Sequence, residues 1–239
     1  MRRLLPDEQR PHFIPDKAVN DNRRGPPFLV RRKTDAAAYR GFPVMYDAVM
    51  KFAERGRLSA WRRDLVRPVE GTILEVAAGT GLEFWHYPPG TLVIATEPDF
   101  KMLELGRSRA ATASAKILLV SADAQHLPFS DGTFDTIVCC LGLCSIQSPQ
   151  RALSEALRVL RPGGVARLLE HVRIERRVMG KLQDLLTPAW RKVAGGCRLN
   201  ERTVDNVRRA GFHIRHLRSH LGGYVISIEA SNPGSASRH

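Results

Sequence analysis

No stretch of this chain approaches the ~18 consecutive apolar residues that a membrane-spanning helix needs, and the opening MRRLLPDEQRPHFIPDK lacks the apolar centre of a secretory signal. Both absences favour a cytoplasmic protein. Cysteine is scarce. Cys139, Cys140, Cys144 and Cys197 form no CxxC pair and have no partner spacing, so the sequence suggests neither a metal site nor a disulfide framework. Buried free thiols are expected instead. Aromatic residues, at 7%, are not interleaved with the arginines as a single-strand binding groove requires; the arginines are scattered at helix-like spacings, and no specific nucleic-acid partner is expected.

What is present suits one sizeable core with tails: 239 residues, 43% hydrophobic and 26% charged. The net charge of +13 is unevenly placed. Lys and Arg number 16 against 9 acidic residues over positions 1–70, 4 against 8 over 71–150, and 17 against 7 over 151–239. Such basic flanks attract anions, and the stretch Arg173 to Arg177 together with the N-terminal tail would carry any peripheral contact with an anionic membrane.

Four regions follow from the patterning. Positions 1–36 read as a flexible basic tail, 37–70 as N-terminal cap helices, 71–230 as the core and 231–239 as a disordered C-terminus. Within the core, short apolar runs alternate with helix-length segments: TILEVA, TLVIATE, KILLVSAD, FDTIVCCLGL and GGVARLLEHV. Runs that are apolar on both faces belong to a parallel sheet covered on both sides. Asp99 and Ser148 are expected to cap helices, with Pro149 in the first helical position, and Asn200 to cap a later one that Gly211 stops. The last two strands would pair across Gly222 and Gly223. The fold class is therefore α/β: a doubly wound, Rossmann-like, seven-stranded, mostly parallel sheet with an antiparallel last strand and N-terminal cap helices.

In ILEVAAGTGLEF the glycines Gly79 and Gly81 directly follow the first strand, where a sharp turn lets a nucleotide-like ligand lie against bare backbone. Glu97, 16 residues after Gly81, ends the second strand, where a carboxylate can accept from both hydroxyls of a ribose. A nicotinamide cofactor uses the same geometry, but its fingerprint wants a third glycine where Phe84 stands. Glu75 and Asp123 add negative charge at the same mouth, which suits a cationic ligand such as S-adenosylmethionine better than a pyrophosphate.

From about residue 39 to 229 the chain resembles the class I S-adenosylmethionine-dependent methyltransferases. ILEVAAGTG, ATEPDFKML, SADAQHLPFSDGTFDTIVC and ALRVLRPGGVARLLEH are similar to the ubiquinone and menaquinone C-methyltransferases and to bacterial phospholipid N-methyltransferases. YPPG, LCSI, RVLRPGG, LEHV, LTPAW and GGCRLNERT resemble the methyltransferase-like seven group of animal thiol S-methyltransferases. Ala77 replaces that family's first glycine, and its hydrophobic N-terminal anchor is missing here. The resemblance implies that Glu75, Ala77, Gly79 and Gly81 line the methionine and ribose side of the cofactor and that Glu97 holds the ribose. It further implies that Pro98, Asp123 and Ala124 meet the adenine, and that Cys140 and Leu141 close the site.

A sulfonium donor already carries an electrophilic methyl group, so alignment and exclusion of water are the main demands on the protein. A thiol acceptor, with a pKa near ~8.5, needs little help from a base, whereas an amine or ring carbon needs more. His171 and then His126 are the candidate catalytic residues. A ceiling of Phe42, Tyr46, Met50 and the segment around Trp190 would make the acceptor a small apolar molecule.

Overall fold

The computed structural model describes residues 56–234. The tail and the first part of the cap, including Phe42, Tyr46 and Met50, lie outside the described residues. Of the cap, helix α1 spans Arg57–Val66. Then come β1 (Thr72–Val76), a 3-10 turn (Phe84–His86), β2 (Leu92–Thr96), α2 (Phe100–Thr112), β3 (Lys116–Val120) and β4 (Phe134–Cys140). Helix α3 (Pro149–Val159), β5 (Leu160–His171), α4 (Arg177–Val193), α5 (Thr203–Arg209), β6 (His213–His220) and β7 (Val225–Ser231) complete the chain.

The strands form one sheet in the order β3-β2-β1-β4-β5-β7-β6. Pairings among β1 to β5 are parallel, and β7 runs antiparallel between β5 and β6. Successive residues of β1 serve opposite faces. Leu74 joins Ile94, Ile137 and Leu153 in one core, while Ile73 joins Val93, Leu103 and Val138 in the other. Both layers are buried, so the central strands are mainly apolar, with Glu75 in β1 and Glu170 in β5 as buried exceptions. Because the chain leaves β1 toward β2 and β3 and returns to β4 on the other side, a crevice opens at the carboxyl ends of β1 and β4.

The expected caps hold at two helices. Asp99 accepts from the amides of Lys101 and Met102, and Ser148 from that of Arg151, with Pro149 following. At α5 the expectation fails: the helix begins at Thr203 after Arg202, and the Asn200 side chain instead donates to Asp184 Oδ1 at 3.0 Å. Beyond α3, β5 starts at Leu160, and Asn232 bonds across to both Gly163 and Gly164. Helix α4 was not legible in the sequence. It buries Gly180, Gln183 and Thr187 while exposing Val178, Met179, Leu182, Leu185, Leu186 and Trp190.

Candidate active site

A cleft sits at the crevice, lined by Arg62, Ala77, Ala78, Gly79, Thr80, Leu82, Glu83, Cys140 and Leu141. Ala77, Gly79, Cys140 and Leu141 are thus brought together as the sequence suggests. The turn after β1 is tight: Ala78 N donates to Thr96 O at 3.0 Å and Gly81 N to Ala78 O at 2.9 Å. Gly81 has φ +74, and a Cβ there would lie 2.2 Å from the buried Phe84 ring. That ring fills the space beside the turn. A Cβ at Gly79 would meet nothing within 4 Å among the described residues, so there this stretch of backbone faces open space. Ala77 and Leu141, on the two walls, both hold φ +54, a conformation that costs a non-glycine residue roughly 1–2 kcal/mol.

Glu97 is placed at the turn by two backbone donors, Gly79 N to Oε2 at 3.1 Å and Asp99 N to Oε1 at 3.0 Å. Burial pushes its carboxyl up to about 7, against the pull of those two amides. Each carboxylate oxygen keeps a lone pair for a ligand hydroxyl. Glu75 lies beneath the lining, 1% exposed. Burial raises it to about 8, opposed by the Tyr87 hydroxyl and the Arg62 charge, and its Oε2 has no well-formed hydrogen bond among the described residues. Asp123 turns toward its own loop, accepting from the Gln125 amide at 2.9 Å and from the Gln125 side chain. Ala124 is buried beside it, and Pro98 follows Glu97 directly.

The two candidate imidazoles are not brought together. His126 is exposed, 4.0 Å from Asp123. His171, at the end of β5, stacks on Tyr224 with ring centroids 5.6 Å apart, and its Nε2 lies 3.1 Å from Cys197 Sγ, while its Nδ1 is buried without a partner among the described residues. Desolvation pulls His171 down, but the Cys197 hydrogen bond and charge together with Glu170 and Glu201 outweigh it, and the net shift is upward. The Cys144 thiol, followed by His171, holds Cys197 well below the ordinary thiol range.

Three residues that sequence reasoning missed organise this mouth. Arg62, from α1, is 2% exposed, pairs with Glu83 and donates to Cys140 Sγ at 3.2 Å. Glu83 shares the lining. Glu170 is fully buried, and its Oε1 accepts from Gly142 N at 3.0 Å, Leu143 N at 3.1 Å and the Cys139 thiol at 3.4 Å, fixing the loop after β4. An acid inside the apolar run LLEHV was the signal for Glu170; nothing in the sequence marked Arg62 among its neighbouring arginines.

A sheet in this order, with a glycine turn after β1 and an acid ending β2, carries a nucleotide-type ligand at the crevice. The methyltransferase-domain family matches residues 74–168. Thiol S-methyltransferase TMT1A of Homo sapiens is 31% identical over 219 residues, covering 84% of this chain and 85% of that protein. Demethylmenaquinone methyltransferase of Thermobifida fusca is 37% identical over 135 residues, 54% of this chain and 57% of that one. A SAM-dependent methyltransferase structure from Thermotoga maritima shares the fold with a TM-score of 0.58 at 22% identity, over 82% of this chain and 99% of that one. The chain belongs to the class I S-adenosylmethionine-dependent methyltransferases. It is an enzyme, with S-adenosylmethionine as its cofactor.

Proposed function

We propose that this methyltransferase acts on a small apolar thiol, transferring the methyl group to sulfur. The observation that carries this reading is the engagement of His171 Nε2 by Cys197, with His126 exposed on a separate loop. Neither imidazole stands free as a general base beside the cleft, and a thiol is the acceptor that least needs one. The 31% identity to a thiol S-methyltransferase over most of the chain supports the same acceptor.

The residues present fit the cofactor: open backbone at Gly79, a carboxylate at Glu97 with acceptor capacity to spare, and a buried acidic group at Glu75 beneath the floor. In this reading Glu97 holds the ribose hydroxyls, and Ala77, Gly79 and Gly81 flank the methionine and ribose side above Glu75. Pro98, Asp123 and Ala124 meet the adenine, and Cys140 and Leu141 close the opposite wall. When bound, the sulfonium supplies an electrophilic methyl group; the chain's own task is to bind, orient and keep water out. Labelled cofactor assayed with matched panels of alkyl thiols, amines and quinols tests the acceptor. Turnover is expected with thiols, and preferential turnover of amines or quinols would replace the reading by an N- or C-methyltransferase.

The exposed apolar arc of α4 supports a further part of this reading, peripheral contact with an anionic membrane. Val178 is 78% and Leu185 75% exposed, and Arg177, Lys181, Arg191 and Lys192 flank the arc with positive charge. Within the basic stretch Arg173 is already taken by Asp184 at 2.8 Å, so Arg176 and Arg177 are its exposed positive charges, beside the exposed Glu175. No helix among the described residues is long and apolar enough to cross a membrane. Co-sedimentation with phosphatidylserine vesicles is expected for the wild type and lost in the V178E/L185E double variant; equal sedimentation of both would remove this role.

A further inference from the structure

Beyond the cofactor cleft lies a group of soft donor atoms that the sequence, with no paired cysteine spacing, did not announce. Cys144 comes from the loop after β4, His171 from the end of β5 and Cys197 from the segment after α4, and their donor atoms lie within 4.8 Å of one another. The three carriers are tied together. Arg198 N donates to Cys144 O at 3.0 Å, and the Arg198 guanidinium donates to Ile146 O at 2.8 Å and to Glu201 at 2.7 Å. Arg173 N donates to Glu201 O at 3.0 Å, and buried Gln183 bridges Val172 O and Leu199 O. Glu170 fixes the loop that carries Cys144. Donors held by such a frame lose little freedom on binding a ligand.

We propose that Cys144, His171 and Cys197 form a site for a thiophilic divalent cation of the zinc type, with its fourth position open toward the acceptor side of the crevice. Two sulfurs and one imidazole select zinc-like ions over magnesium or calcium. Two thiolates also neutralise a dication, which offsets its cost in a mostly buried setting. Bonds of about 2.3 Å to sulfur and about 2.0 Å to nitrogen place tetrahedral donors about 3.5–3.8 Å apart. The His171 Nε2 to Cys197 Sγ separation is 3.1 Å, so that pair opens slightly, and with all donors within 4.8 Å of one another the set closes on an ion through side-chain shifts of about 1 Å or less. The Trp190 indole N–H donates to Cys197 Sγ at 3.4 Å, supporting charge on that sulfur. Three protein ligands with a free position are the pattern of zinc sites that take a substrate, unlike the closed four-ligand sites that only hold a fold. Cys197 is only partly buried, and Cys144 Sγ lies 3.6 Å from the carbonyl of Leu141, a residue of the cleft lining.

What the open position takes rests on the thiol reading above. The acceptor S–H bond breaks, its proton goes to solvent, and a metal–sulfur bond forms, so the acceptor is held as a thiolate without a free general base.

Reduced full-length protein titrated with Co²⁺, then with Zn²⁺ against a chelator, tests the site. Thiolate-to-cobalt charge-transfer absorption is expected to saturate at one equivalent and to be displaced by Zn²⁺. Loss of even an indirect contact to a metal ligand costs about 10–100-fold in affinity, so C144S and C197S are expected to weaken binding by at least about 100-fold. C197H, which keeps a donor, is expected to bind with reduced charge-transfer intensity, separating ligand loss from misfolding. Absence of the absorption in folded, reduced wild type, or unchanged affinity in C197S, overturns the site. Recovery of a Cys144–Cys197 disulfide alongside a reduced form that binds no metal overturns it in favour of a redox pair. A small alkyl thiol added to the cobalt form, without methyl donor, is expected to shift the charge-transfer band. No shift with cobalt bound overturns thiol capture alone, whereas a shift without any thiol methylation would instead defeat the acceptor reading.

Discussion

At the scale of single residues, Glu97 makes the clearest prediction. Its carboxyl is raised to about 7 in the free protein by burial, whereas accepting from ribose hydroxyls requires the ionised form. Cofactor affinity should therefore be full above pH 7 and fall by up to about tenfold per pH unit below it. In E97Q this component disappears, so the affinity ratio of wild type to E97Q, read by titration calorimetry between pH 5.5 and 8, should shrink as pH falls. A constant ratio would detach Glu97 from the ribose. The position of Glu97 was legible because strand-end acids after a glycine turn have few other uses. Its raised pKa was not legible, because desolvation depends on what the fold packs around it. Arg62 and Glu170 were hidden for the same reason: a charge in a helix or strand pattern looks like surface until the neighbouring elements close over it.

At the scale of elements, the turn after β1 carries two opposed expectations. Ala77 holds φ +54, so A77G should stabilise the protein by roughly 1 kcal/mol, while G81A, with φ +74 and a Cβ 2.2 Å from the Phe84 ring, should cost roughly 2–5 kcal/mol. Urea midpoints at constant slope measure both; destabilisation by A77G would mean that the Ala77 methyl, against which Gly142 packs, outweighs its backbone strain. Strands and capped helices of the core were readable because apolar period and caps are local signals. Helix α4 was not. Pro188 lies inside it, its apolar arc faces away from the core, and polar Gln183 and Thr187 make its buried contacts, the reverse of the usual amphipathic pattern.

At the scale of the whole molecule, a cofactor held as proposed, across the ends of β1, β2 and β4, should stabilise the folded chain on binding. S-adenosylmethionine at about 100 times its dissociation constant should add about 2.7 kcal/mol, raising Tm by roughly 5–10 °C. An unshifted melting curve at that concentration would mean that the crevice does not bind the donor. The alternation of strand and helix, the glycine turn and the acid after β2 determined from sequence alone that this chain builds a nucleotide-type crevice, because each is written in local spacing and backbone chemistry. Only the tertiary structure decided what stands around that crevice: Arg62 against Cys140, Glu170 under the loop after β4, and Cys144, His171 and Cys197 gathered from positions as far as 53 residues apart. Such groups meet through sheet order and loop packing, and spacing along the chain carries no record of either.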